Sequence, residues 1–348
     1  MIMAHGHRVA TVLRLVLALC VMGALGACAP ALLKPEDQAA LVWPDIPNPP
    51  RIAYVKQFSK PDDFDISKGF FQRLGELIFG GSEARLIRPM AVVAANGAVY
   101  VADPGANGVH RFDQTAARYD LIVAADGQAL PSPVALALGS EGEVYVADSD
   151  LAKVLVIRPG AKTATPLALP DMTQPTGIAF DRSNGNLYVV DTGAHRVNVF
   201  KRDGTLAFAF GGRGDGAGEF NYPTLIWLDP AGRLYVTDSL NFRIQMFDRQ
   251  GKYLSGFGQV GDGSGDNMRP KSVATDSHGH VYVVDALHNA LQIFDGQGRY
   301  LLSVGSIGSD RGEFWLPAGI FIGENDTIYI ADSYNQRIQV LRYIGGPK

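Results

Sequence analysis

The chain has 348 residues, 47% of them apolar and 19% charged, with 40 glycines and two cysteines. Its 31 Lys and Arg against 35 Asp and Glu give a formal charge of −4, which excludes the strongly basic surface of a nucleic-acid binder. This length allows one large core or two ordinary domains, and internal repeats decide for one.

Arg8 and Arg14 precede an apolar run over 15–25, which closes on Leu25, Gly26, Ala27 and Cys28. Charged, apolar and small-residue zones in that order form an export signal. Thirteen residues separate Arg14 from Cys28, short of the ~20 that a helix needs to cross a bilayer, so removal of 1–27 is expected. The Leu-Gly-Ala-Cys tetrad resembles the bacterial lipobox, which implies cleavage before Cys28 and lipidation of that residue. Ala29 after it, in place of Asp, implies by the same resemblance an outer-membrane location, facing the periplasm or the exterior. Two or more acyl chains anchor stably where one holds only marginally. Loss of Arg8 and Arg14 leaves 29 basic residues against 35 acidic ones, a formal charge of minus 6. Loss of Cys20 and lipidation of Cys28 leave no free thiol, so stability must come from packing.

Residues 28–50 carry Pro30, Pro35, Pro44, Pro47, Pro49 and Pro50, the composition of an extended, semi-rigid tether. Residues 51–58 read as a strand with no copy of its own. Over 67–79, Phe70, Leu74, Leu77 and Ile78 recur at helical spacing, which predicts a short amphipathic helix, either a plug over the loops or an apolar contact for a partner or membrane.

From 86 to 343 one phrase recurs six times, apolar-Tyr-apolar-apolar-Asp, ending at Asp103, Asp148, Asp191, Asp238, Asp285 and Asp332. The aspartates are 45, 43, 47, 47 and 47 residues apart, the period of a four-stranded unit repeated around a propeller. About ten residues before each phrase, a proline opens a short apolar run, the first strand; an Asp/Gly turn such as 229–232 leads to the Tyr phrase, the second. The third alternates polar and apolar, as in Arg196-Val197-Asn198-Val199-Phe200, and a further turn leads to a fourth.

The runs Asp-Ser-Leu-Asn-Phe-Arg-Ile at 238–244, Asp-Ser-Tyr-Asn-Gln-Arg-Ile at 332–338 and Asp-Thr-Gly-Ala-His-Arg-Val at 191–197 resemble NHL repeats. The resemblance implies an all-β fold, a six-bladed β-propeller of four-stranded antiparallel blades. The match is weaker in the first two copies, where Gly108 and Lys153 replace the Arg, and Ala290 replaces it in the fifth. No fourth strand follows the last copy, so residues 51–58 are expected to complete that blade and close the ring.

In such blades the loops from strand two to three and from strand four to the next blade share one face, and the short Asp/Gly turns occupy the other. The first is the expected binding face, since variable loops on a rigid scaffold commonly carry function. Its candidate residues are Lys153, His195, Arg196, Tyr222, Phe242, Arg243, Lys271, His288 and Arg337. The Asp and Arg side chains better suit a scaffold role, pairing with each other or capping turns to fix blade to blade. NHL-type propellers include a zinc-dependent lyase and related lactonases use calcium, but Asn107, Ala152, Phe242 and Gln336 stand at the position of His195 in other copies, too few imidazoles for a three-histidine zinc site. The glycine-rich stretches 211–218 and 261–266 match no nucleotide or EF-hand spacing and read as flexible inter-blade loops. The expectation is a monomeric, non-catalytic interaction module without cofactor or metal, binding an envelope protein or ligand and held to the membrane through Cys28. The alternative is a metal-dependent lyase- or lactonase-like enzyme.

Overall fold

A computed structural model describes residues 40–45, 47–64, 66 and 84–345. The export signal, Cys28 and the helix expected over 67–79 lie outside the described residues.

The chain from 91 onward folds into six antiparallel units in sequence order, spanning 91–124, 133–166, 175–211, 223–257, 270–304 and 320–343. In the third, Pro175–Phe180 pairs with Leu187–Asp191, that strand with Arg196–Phe200, and that one with Leu206–Gly211. The first strands of successive units lie next to one another, including the first and last, which places them innermost around a central axis. The first two units are also linked at their outer edges, where Thr163–Pro166 runs parallel to Arg118–Ala124 before turning antiparallel onto Lys153–Ile157. They therefore form one continuous eight-stranded sheet.

The last unit supplies three strands from the C-terminal end, Ile320–Ile322, Thr327–Asp332 and Arg337–Tyr343. Its fourth is Ile52–Phe58, antiparallel to Arg337–Tyr343 from Ile52 opposite Tyr343 to Phe58 opposite Ile338. The proline-rich tether ends earlier than its composition suggests. Val42–Trp43 adds a short edge strand on Ile52 and Ala53, with Trp43 packed on the core of the last blade. An aromatic side chain with apolar surface to cover outweighs the extended preference of its proline neighbours.

The core lies between blades. Val197 and Val199 of the third blade pack with Ile226 and Val236 of the fourth, and Ile244 and Met246 of the fourth with Val273 and Val283 of the fifth. Complete burial of one such side chain is worth ~1.5–3 kcal/mol, so each blade is stable only against its neighbours. The repeated tyrosines Tyr188, Tyr235 and Tyr282 are fully buried. Their hydroxyls donate to the Arg249 carbonyl, Asp229 and Asp276, a requirement that Phe would not meet.

The glycine-rich inter-blade segments are ordered loops, contrary to the flexibility their composition suggests. Three share one geometry, closed by parallel bridges between Arg213 and Phe220, Val260 and Asn267, and Ile307 and Phe314. A glutamine of the following blade clamps each from inside: Gln245, Gln292 and Gln339 accept from the N–H of Gly218, Gly265 and Gly312 and donate to the carbonyls of Glu219, Asp266 and Glu313. Glycine at 218, 265 and 312 is needed for backbone, since φ there is +82°, +88° and +79°.

Candidate functional site

The aspartate that ends each Tyr phrase is fully buried in all six blades. Its carboxylate fastens the loops on the face shared by the second-to-third and inter-blade connections. Asp103 accepts from the N–H groups of Ile87, Arg88 and Ala106, and Asp148 from those of Ser132, Asp150 and Leu151. Asp191 accepts from Thr173 and Gln174, Asp238 from Asn221, Asp285 from Met268, Arg269, Leu287 and His288, and Asp332 from Trp315. Burial pushes the Asp103 carboxyl up, but bonds from His110, Ile87 and Arg88 prevail and hold it below its usual range. For Asp148 burial prevails and raises it.

In the fourth and sixth blades the same carboxylate takes three side chains as well. Asn241, Arg243 and Gln245 donate to Asp238, and Asn335, Arg337 and Gln339 to Asp332. Arg243 also donates to the carbonyls of Asp215, Gly216 and Glu219, and Arg337 to those of Ser309, Asp310 and Glu313. Both arginines are thus consumed as pins between a blade and the preceding loop. Their placement among binding-face candidates is corrected: the carbonyls of a tight glycine-rich loop point inward and need a donor.

His195 is likewise a staple. It is buried, its Nδ1 accepts from the Tyr222 N–H at 3.2 Å, and its ring meets that of Tyr222 edge-on at 4.7 Å. An accepting Nδ1 places the proton of the neutral ring on Nε2. Phe242 is half-buried at a φ of 56°, and its carbonyl accepts from Asn267 of the next loop. His288 holds Nδ1 3.7 Å from Asp285 Oδ2, with Nε2 buried and without a hydrogen-bond partner among the described residues.

Lys153 and Arg196 are exposed, and neither side chain makes a hydrogen bond or ion pair among the described residues. Lys271 follows the first residue of its inner strand, which places it at the central mouth of this face. Burial, and secondly Arg269, lower the pKa of its ammonium. No carboxylate pairs with it among the described residues.

Beyond Tyr222, the residues that sequence reasoning missed on this face are apolar. Tyr222, Leu240, Met268, Leu287, Trp315 and Tyr334 lie on this face, between 37% and 55% exposed, with Ile87 at 45%. Three of them stand two residues after a clamp aspartate, and the others one or two residues before the proline that opens an inner strand. The Trp315 and Tyr334 rings pack at 5.7 Å, and Tyr334 N–H donates to the Trp315 carbonyl. They form an arc from the fourth blade through the sixth to the first, on loops held by buried carboxylates. Among the described residues, no three His, Cys, Asp or Glu side chains are placed to hold a metal ion.

A family described as a 6-bladed beta-propeller matches residues 274–343, and the Teneurin NHL domain matches residues 120–206. The chain folds as a six-bladed β-propeller, and its residues 120–206 are similar to an NHL domain. No curated protein matches this propeller. Among solved structures it is similar to an auxiliary nutrient binding protein from Bacteroides thetaiotaomicron, with a TM-score of 0.59 at 14% identity over 76% of this chain and 71% of that one. It is similar to a gluconolactonase from Xanthomonas campestris, with a TM-score of 0.58 at 14% identity over 88% and 98%. It is also similar to virginiamycin B lyase from Staphylococcus aureus, with a TM-score of 0.51 at 17% identity over 74% and 95%. Likeness at this identity shows the fold, and both binding proteins and enzymes are built on it.

Proposed function

We propose that this propeller is a non-catalytic binding module of the bacterial cell envelope, anchored through lipidated Cys28 and presenting its loop face to a protein partner. The observation that carries the reading is the exposed arc of Tyr222, Leu240, Met268, Leu287, Trp315 and Tyr334. Aromatic and Met side chains on a preorganised surface are the composition of an interface core, and rigid loops lose little entropy on binding. Arg88 and Arg269 are exposed beside Pro89 and Pro270, and Lys271 lies near Arg269, so an acidic group on the partner would complement them.

The test combines Leu287→Ala, Trp315→Ala and Tyr334→Ala in one variant. Capture of envelope proteins by the wild type should be lost in the variant at an unchanged melting temperature. Capture that survives the three changes removes the loop-face reading. A lactonase or lyase turnover that is abolished by chelation and indifferent to the three changes would establish the enzyme alternative.

A further inference from the structure

An apolar space near the axis lies toward the opposite face, that of the short turns. It is a cavity of about 490 Å³ walled by the inner strands of five blades, with Leu138, Phe180, Trp227, Leu228 and Phe321 among its lining. That volume falls in the range of small-molecule sites, ~300–1,000 Å³. The wall is fixed: the Trp227 indole N–H donates to Thr275 Oγ1 at 2.9 Å, and its ring meets Phe321 edge-on at 6.0 Å.

Its rim is charged and built. Arg249, from the turn between third and fourth strands of the fourth blade, also lines the cavity, and its Nε donates to Asp181 Oδ2 of the third blade at 2.9 Å. Burial pushes the Asp181 carboxyl up, but hydrogen bonds from Ser183 and Arg249 prevail and hold it low. This orients the guanidinium while its two terminal amino groups donate to no described residue. They lie against Gly232, whose φ is +88° and where a Cβ would collide with them. Asp229, the other carboxylate of the lining, is taken by Arg233 at 2.7 Å. Arg182 also lines the cavity, exposed and unpaired among the described residues. Two rim acids are therefore matched by Arg233 and Arg249, and Arg182 leaves one cation in excess.

We infer that this cavity is a second binding site, independent of the loop face, for a small amphipathic monocarboxylate whose apolar body enters the channel and whose carboxylate meets Arg249 and Arg182. An apolar body satisfies the walls, and the two guanidinium groups offer charge-assisted donors to the head.

The probe is sodium decanoate, followed by titration calorimetry and by tryptophan fluorescence, because Trp227 lies in the wall. Saturable one-to-one binding is expected with the full-length protein. Decanol, of the same length without the charge, should bind at least ~10-fold more weakly, and Arg182→Glu should weaken decanoate by a similar factor without changing the melting temperature. Leu228→Trp, which fills the cavity, should abolish binding. The loop-face triple variant should bind decanoate as the wild type does. Absence of saturable binding, equal affinity for decanol, or undiminished binding by a folded Leu228→Trp protein would each overturn the inference. Loss of decanoate binding in the loop-face variant would move the site to the other face.

Discussion

Arg243 Nε lies 2.8 Å from Asp238 Oδ2, joining the end of one strand to the start of the next. The sixth blade repeats the arrangement with Arg337 and Asp332 at 2.7 Å, and there the arginine is only 8% exposed. In the third blade Arg196 stands at the equivalent position, exposed, while Asp191 spends its oxygens on the N–H groups of Thr173 and Gln174.

That contrast predicts opposite outcomes for one substitution. Arg337→Ala removes the only cation paired with a buried carboxylate among the described residues and one donor from each of three loop carbonyls, and should cost about 3–5 kcal/mol in denaturant unfolding. Arg196→Ala should stay within about 0.5 kcal/mol of the wild type. Similar losses at the two positions would mean that Arg337 is no more a pin than Arg196.

Ring closure gives a second prediction. Phe58, near the end of the closing strand, meets Phe64 at 4.5 Å and Phe112 of the first blade at 5.6 Å, so the strand is joined to both ends of the ring. Phe58→Ala should cost about 3–5 kcal/mol. A protein beginning at Asp62 should melt lower and less cooperatively than one beginning at Ala29, because the third strand of the last blade loses its partner. Equal melting of the two would show that the blade is closed in another way.

These two sites also show what was legible in the sequence. Six Tyr phrases at a period of 43 to 47 residues, with a tyrosine in each, mark the blades because each repeat must bury the same surface against its neighbour. A scaffold role for the arginines was legible, but which of them pair with an aspartate was not legible from their own positions. What separates Arg243 and Arg337 from Arg196 is the preceding loop: 211–220 and 305–314 are glycine-rich and turn carbonyls inward, whereas 167–174 has no glycine. Reading each arginine together with that loop would have assigned it. The apolar arc was equally present, as Leu240, Leu287 and Tyr334 two residues after the aspartate, but solvent exposure of a loop residue is set by the clamp and not by local pattern.

The proposed anchor gives a third prediction, resting on Leu25-Gly26-Ala27-Cys28. Cys28→Ser should leave an unprocessed precursor that takes up no labelled fatty acid, whereas the wild type is labelled and migrates as the shorter form. Label on the variant would remove the lipoprotein reading while leaving both binding faces untouched.

The last prediction concerns pH and the boundary between the fifth blade and the closing segment. His280 Nδ1 lies 2.7 Å from Asp276 Oδ2, and Tyr282 donates to the same oxygen at 2.9 Å. The hydrogen bond to Asp276 raises the His280 pKa above its ordinary 6.5, against the opposing effects of burial and of Arg51. Burial pushes Asp276 up, but its bonds from His280 hold it below 3.8. A raised histidine pKa contributes stability that is complete below 6.5 and is lost as pH rises through the raised value. A lowered carboxylate pKa contributes above 3.8 and is lost as pH falls through the lowered value. The pair therefore stabilises most between those limits. At pH 5.5 the wild type should exceed His280→Gln by about 1–2 kcal/mol in denaturant unfolding, and the gap should narrow as pH rises through the raised value, above which only a neutral hydrogen bond remains. Tyr343, 5.1 Å from the His280 ring, and the neighbouring His278 pack on the same side, so Tyr343→Phe should leave the pH dependence in place. A gap of constant size from pH 5.5 to 9 would show that His280 acts as a neutral partner and that the charge on the pair contributes nothing.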